Sequence, residues 1–96
     1  MPLPLTTESV VRASRDQVSA EVAGDTVVLG MTNGVYYGLD HVGTRIWQLL
    51  KEARRVQDLC NAITAEYDVD SARAEQDVLA LLHELAQYGL IEVDAA

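Results

Sequence analysis

The sequence predicts an α+β domain in which a three-stranded antiparallel sheet is followed by three helices packed on one of its faces. Three observations carry this. The apolar period is two between Gln17 and Leu39 and switches to three and four from Val42 onward. Asn33-Gly34 lies between two β-rich runs, the dipeptide most typical of a hairpin. Asp40 and Asp70-Ser71 stand where helices need N-caps, and Gly89 stands where the last helix needs a left-handed C′ residue. Strands first and helices afterwards belong to the α+β class. The length of 96 residues suits one domain, with an expected radius of gyration of about 12 to 13 Å.

Each element follows from its local pattern. Residues 1–16 hold Pro2, Pro4 and scattered Thr, Ser and charge without a period, and are expected to be an irregular lead-in. Val18, Ala20 and Val22 alternate with Ser19 and Glu21, the mark of a half-buried strand, and Gly24-Asp25 supplies a turn. Thr26 to Met31 forms a second strand. Asn33-Gly34 then predicts a type I′ turn, which needs positive φ at both central residues, leading into a third strand over Val35 to Leu39. Asp40 caps a helix carrying Val42, Ile46, Trp47, Leu49 and Leu50, which the charged run 51–55 closes. Val56, Leu59, Cys60, Ile63 and Tyr67 define a second helix, and Ala74 through Tyr88 a third. Gly89 ends it, Leu90 to Val93 is short and strand-like, and residues 94–96 are a tail. The ordered domain is thus expected over 17–93.

Composition removes several classes of function. The chain has 7 Lys and Arg against 15 Asp and Glu, a net charge of −8, which opposes the phosphate neutralisation on which nucleic-acid binding depends. Apolar residues make up 49% of the chain while Phe is absent, so a packed, largely aliphatic core is expected rather than an acidic disordered tail. Cys60 is the single cysteine and has no internal disulfide partner; its place on the apolar stripe of the second helix suits core packing. No basic signal-peptide start and no long apolar run are present, so a cytoplasmic protein without a membrane partner is expected. His41 and His83 lie in different elements outside any ligand motif, the carboxylates are dispersed, and neither GxGxxG nor GxxxxGK[ST] occurs. No catalytic residue, metal ligand or cofactor is expected, so the chain does not read as an enzyme.

Two features point instead to binding. An edge strand is normally guarded by Lys, Pro or a bulge, and Val35 to Leu39 has none of these guards. Val35, Tyr37 and Leu39 fall on one face and Tyr36 and Gly38 on the other, with Gly38 open to the approach of another backbone. The simpler reading is an edge covered by the N-terminal segment or a second copy. The third helix has an over-wide apolar arc: Ala74, Val78, Leu79, Leu81, Leu82, Leu85, Ala86 and Tyr88 span about 180°, against the roughly 100° stripe one packed face needs. One border of that arc should pack in the core and the other wall a groove, with Arg73 and Asp77 beside it; a three-helix cluster that uses the whole arc is the alternative. An open edge beside an apolar helix suits an extended peptide, bound by main-chain pairing and by pockets for alternate side chains.

These residues also carry a resemblance. Gly34-Val35-Tyr36-Tyr37-Gly38-Leu39-Asp40, then Gly43-Thr44-Arg45-Ile46-Trp47-Gln48-Leu49-Leu50, Tyr67-Asp68-Val69-Asp70, Asp77-Val78 and Gly89-Leu90-Ile91 resemble the PqqD-like family, the RiPP recognition elements that bind the leader of a ribosomally made precursor peptide. The resemblance covers roughly residues 17–93 through several short motifs in order. Within the family the chain is most similar to the free-standing leader-binding proteins of lasso peptide biosynthesis, with PqqD-type chaperones of other peptide-modifying pathways as the alternative. It implies a winged helix-turn-helix fold and a leader added as a strand to Val35, Tyr36, Tyr37, Gly38 and Leu39, in a groove walled by Arg73, Ala74, Asp77, Val78 and Leu81. It also implies presentation of the precursor to a leader peptidase and an ATP-dependent macrocyclase, as in antibiotic biosynthesis, with no chemistry by this domain. Asp40 stands where members often have Asn, and Arg55 where Thr or Ser is usual, so a ragged start to the second helix is expected. A winged helix in a major groove is the competing use of the same element order, but Glu75, Asp77 and Glu84 on the third helix would face phosphates.

Overall fold

The computed structural model describes residues 5–94; Pro2 and Pro4 of the expected lead-in and Ala95-Ala96 of the expected tail lie outside them. Six strands form two three-stranded antiparallel sheets around three helices, in the order β1 (Val10–Ala13), β2 (Gln17–Val22), β3 (Asp25–Gly30), β4 (Tyr36–Leu39), α1 (His41–Leu49), β5 (Arg54–Arg55), α2 (Val56–Glu66), α3 (Ser71–Gln87) and β6 (Ile91–Asp94). The radius of gyration is 12.6 Å. The expected sheet is the meander β2-β3-β4, and the expected three helices follow it.

The second sheet, in the order β5-β1-β6, corrects two expectations. Val10–Ala13 is a strand inside what the sequence suggests is an irregular lead-in, and Asp94 ends β6 rather than opening a tail. Neither outer strand of this sheet exceeds four residues, so no sustained period marks it; β1 is held because both neighbours supply its ladder. Val11, fully buried, pairs with Val93 on one side and with Arg54 on the other. The same segment repairs the start of α2. Arg55 at its N-cap offers no side-chain bond, but Val56 N–H donates to Ser9 O and Gln57 N–H to Thr7 O, both at 2.9 Å. Two otherwise orphaned helix donors are thereby satisfied.

The hairpin turns are also reassigned. Ala23 and Gly24 have φ of 55° and 88°, so the two-residue turn with both φ positive joins β2 to β3. The Asn33-Gly34 connection has positive φ at Gly34 alone and is a longer loop between Gly30 and Val35. Asn33 is diverted by its side chain: Oδ1 accepts from Val35 N–H at 3.1 Å and Nδ2 donates to Tyr88 O at 2.9 Å.

The core gathers Val28 and Leu39 of the meander, Ile46, Trp47 and Leu50, then Leu59 and Ile63, Val78, Leu82 and Leu85, and Leu90, all nearly inaccessible. Each fully buried aliphatic side chain of this kind contributes about 1.5 to 3 kcal/mol. Cys60 lies among them, where burial pushes its thiol above the ordinary range. Trp47 is buried and its Nε1–H donates to Ser19 Oγ at 3.1 Å, as expected of a helix lying over the sheet. Asp40 and Asp70 cap α1 and α3 by accepting from Gly43 N–H and Arg73 N–H, both at 2.8 Å. Past α3, Gly89 at φ 72° donates to Ala86 O and Leu90 N–H to Leu85 O, the paired bonds of a Schellman ending. Among the described residues no helix is long and apolar enough to cross a membrane, and no group of three or more His, Cys, Asp and Glu is placed to hold a metal ion.

The faces of β2 are opposite to what its alternation suggests. Ser19 and Glu21 turn toward α1, where Trp47 and Gln48 bond to them, while Val18 and Val22 are 51% and 70% exposed. Cross-strand register extends this outer face through Val18, Leu29 and Tyr36 in one row and Ala20, Val27 and Gly38 in the next.

Candidate functional site

The site begins with the free side of β4. Among the described residues β4 pairs with β3 only, and the N-terminal strand runs to the other sheet, so neither it nor any other described segment covers the edge. Gly30 N–H donates to Val35 O, and from that bond the alternation of an antiparallel ladder turns the N–H and C=O of Tyr37 and Leu39 toward β3. Those of Tyr36 and Gly38 point outward, unpaired, as a template for a further strand.

Beside this edge lies a cleft of about 480 Å³. Tyr37, Gly38 and Leu39 form one side, and Ala74, Asp77, Val78 and Leu81, spaced at three and four along α3, form the other. The start of α1 contributes Asp40, Val42, Gly43 and Ile46, and the end near the α2–α3 turn is closed by Ile63, Tyr67 and Val69. Gly43 has a packing reason to lack a side chain: a Cβ there would meet Leu39 at 3.1 Å, and its absence lets the first turn of α1 sit on the strand. The wide arc of α3 divides as its width suggests. Ala74, Val78, Leu82 and Leu85 are buried, and Leu81 on one border is half-buried at the cleft, whereas Leu79 and Ala86 pack on the other side.

Seven of the ten residues expected at the site therefore line one cleft. Three do not. Val35 lies just before β4, Tyr36 projects from the outer face of the sheet at 72% exposure, and Arg73 extends into solvent with its Nε 3.1 Å from Asp77. Tyr36 nonetheless belongs to the edge through its main chain. The contributions of α1, Tyr67 and Val69 were not legible as site residues, because their helical spacing also fits core positions. The one local signal is Val69, an apolar residue held between two aspartates in a turn.

The opposite end of the cleft is tied shut. Tyr37 Oη donates to the Glu84 carboxylate, and the Tyr37 and Tyr88 rings lie 5.8 Å apart at 48°. Burial, and secondarily the bond to Glu84, pushes the Tyr37 hydroxyl up to about 12. With Asn33 bonded to the Tyr88 carbonyl, the hairpin and the end of α3 are joined by three contacts, which fix the spacing of the two walls. The charged groups lining the cleft are Asp40 and Asp77, so it favours a neutral or cationic occupant. On the exposed side of α3, Glu75, Asp77 and Glu84 outnumber Arg73, an arrangement adverse to a nucleic-acid backbone.

The comparisons with known proteins agree with this fold. The family described as coenzyme PQQ synthesis protein D (PqqD) matches residues 25–91. The structure described as TbiB1 in complex with the TbiA(β) leader peptide is 41% identical, with a TM-score of 0.80 over 88% of this chain and 99% of that one. A lasso peptide synthetase B1 complexed with the leader peptide is 27% identical, with a TM-score of 0.75 over 85% of this chain and 96% of that one. No curated protein matches the sequence.

Proposed function

The chain belongs to the PqqD family, and from that premise we propose that it is a non-catalytic recognition protein for the leader of a ribosomally synthesised precursor, a lasso peptide precursor in particular. The leader adds as a strand to β4, hydrogen-bonded to the outward groups of Tyr36 and Gly38. Its alternate side chains enter the cleft between β4 and α3. The observation that carries this is the coincidence of an unguarded sheet edge with an apolar cleft along the same strand. Two relatives of the same fold that bind leader peptides support it.

Such a protein presents the precursor to a leader peptidase and an ATP-dependent macrocyclase in the cytoplasm. For the peptidase we favour the outer face of the meander, where Val18 and Val22 are 51% and 70% exposed. That face is continuous with the leader edge through Tyr36, so a peptidase seated there meets the substrate it cuts. A PqqD-type chaperone of another modifying pathway would use the same cleft with a different peptide.

The test is fluorescence anisotropy of a labelled leader, taken from the small precursor reading frame nearest this gene, run beside a labelled DNA duplex. Saturable leader binding that Leu81→Arg removes, with no duplex binding, is the expected result. A folded protein that ignores the leader, or that binds the duplex with a steep salt dependence, would overturn the reading.

A further inference from the structure

We propose that the bound leader is also read on the side facing away from the cleft, at Gly38, by an aromatic or other large apolar side chain lying over the glycine. The inference rests on the strand-addition reading above. Gly38 sits inside β4 without a left-handed φ, and a Cβ built on it meets nothing within 4 Å. The fold thus has no steric use for glycine there, although glycine weakens a strand by leaving nothing to pack. Main-chain pairing does not need it either. A strand side chain stands perpendicular to the sheet, whereas an added strand approaches in its plane.

The space over Gly38 therefore belongs to the outer face. Its neighbours there are Val27 across the ladder, 46% exposed, Ala20 beyond it, and Tyr36 two residues back along β4, 72% exposed. A strand bonded to the outward groups of Tyr36 and Gly38 sets one residue beside Gly38 with its side chain on this face. The flanking groups are apolar, so an apolar side chain fits, and an aromatic ring has the reach to cross the bare backbone and touch Val27 and Tyr36. The leader is then gripped from both faces, and the register of its strand is fixed by the one position where a ring can lie flat.

The test uses the full chain, Gly38→Val and Gly38→Ala, and the labelled leader with each position changed in turn to Ala. Gly38→Val is expected to keep or raise Tm, because valine suits a strand, and to weaken leader binding by about three- to tenfold. One aromatic or large apolar leader position should lose affinity on the wild-type protein when changed to Ala and lose nothing further on Gly38→Val, with the smaller Gly38→Ala intermediate. Unchanged leader affinity in a folded Gly38→Val would overturn the proposal and assign the space to a second protein. Full additivity at every leader position would overturn it too. A wild-type protein that binds no leader would remove the strand-addition reading itself.

Discussion

The phenolic hydroxyl of Tyr37 donates to the carboxylate of Glu84, from the third strand of the meander to the helix that forms the far wall of the cleft. The two residues are 47 apart in sequence, and their bond, with the Tyr37–Tyr88 ring contact, sets the separation of the walls at that end. A cleft of fixed width is preorganised, so less ordering cost falls on binding.

Removing that hydroxyl should therefore loosen the site without unfolding the protein. Tyr37→Phe keeps the ring in contact with Tyr88, and leader affinity is expected to fall by about two- to fivefold, chiefly through faster dissociation. Stopped-flow or surface plasmon kinetics would measure it. An unchanged dissociation rate would show that the tie does not set the cleft.

The same tie gives a pH signature. The Tyr37 hydroxyl is raised from 10.0 to about 12 in the folded protein, so the folded state holds its proton after the unfolded state has lost it. Its contribution to stability is complete below pH 10 and disappears as pH rises from 10 to about 12. Denaturant midpoints across that window should fall more steeply for the wild type than for Tyr37→Phe. Parallel curves would contradict the raised value.

Leu81 is half-buried at the cleft, whereas Leu82 beside it is fully buried in the core. Leu81→Arg should weaken leader binding by about tenfold or more with little change in Tm. Leu82→Ala should cost about 2 to 5 kcal/mol of stability and affect binding only through loss of folded protein. Thermal denaturation and anisotropy on the two variants separate these roles.

Val22 and Val27 present apolar surface to solvent on the outer face of the sheet. Val22→Thr should alter stability by no more than about 0.5 kcal/mol. Val22→Lys should leave leader binding by the isolated protein nearly intact while lowering leader removal by the peptidase. Equal cleavage rates for Val22→Lys and wild type would place the peptidase elsewhere.

Asp70 accepts from Arg73 N–H at 2.8 Å and is the side-chain cap of α3. Asp70→Ala should lower stability by about 0.5 to 2 kcal/mol, measured by urea denaturation. Because the first turns of α3 carry Ala74 and Asp77 to the cleft, a weaker leader affinity should accompany it.

The class and element order of the fold were legible in the residues alone. Periods of two and then three to four placed the meander before the helices, Asp40 and Asp70-Ser71 marked two helix starts, and Gly89 marked the last helix end, since these are local backbone and side-chain requirements. Much of the candidate cleft was legible too: an unguarded strand and an over-wide helix are both properties of single elements. The features that escape a local reading involve groups distant in the chain. Val10–Ala13 is a strand because Ile91–Asp94 and Arg54–Arg55 pair with it, not because of its own pattern. Val18 and Val22 face solvent because α1 supplies Trp47 and Gln48 to bond Ser19 and Glu21, a contact between elements that alternation cannot foresee. Asn33 leaves its expected turn geometry because Tyr88, 55 residues later, offers its carbonyl. The cleft draws on Ile63, Tyr67 and Val69 for the same reason, since helical spacing marks an apolar face but only packing chooses which part of that face stays open.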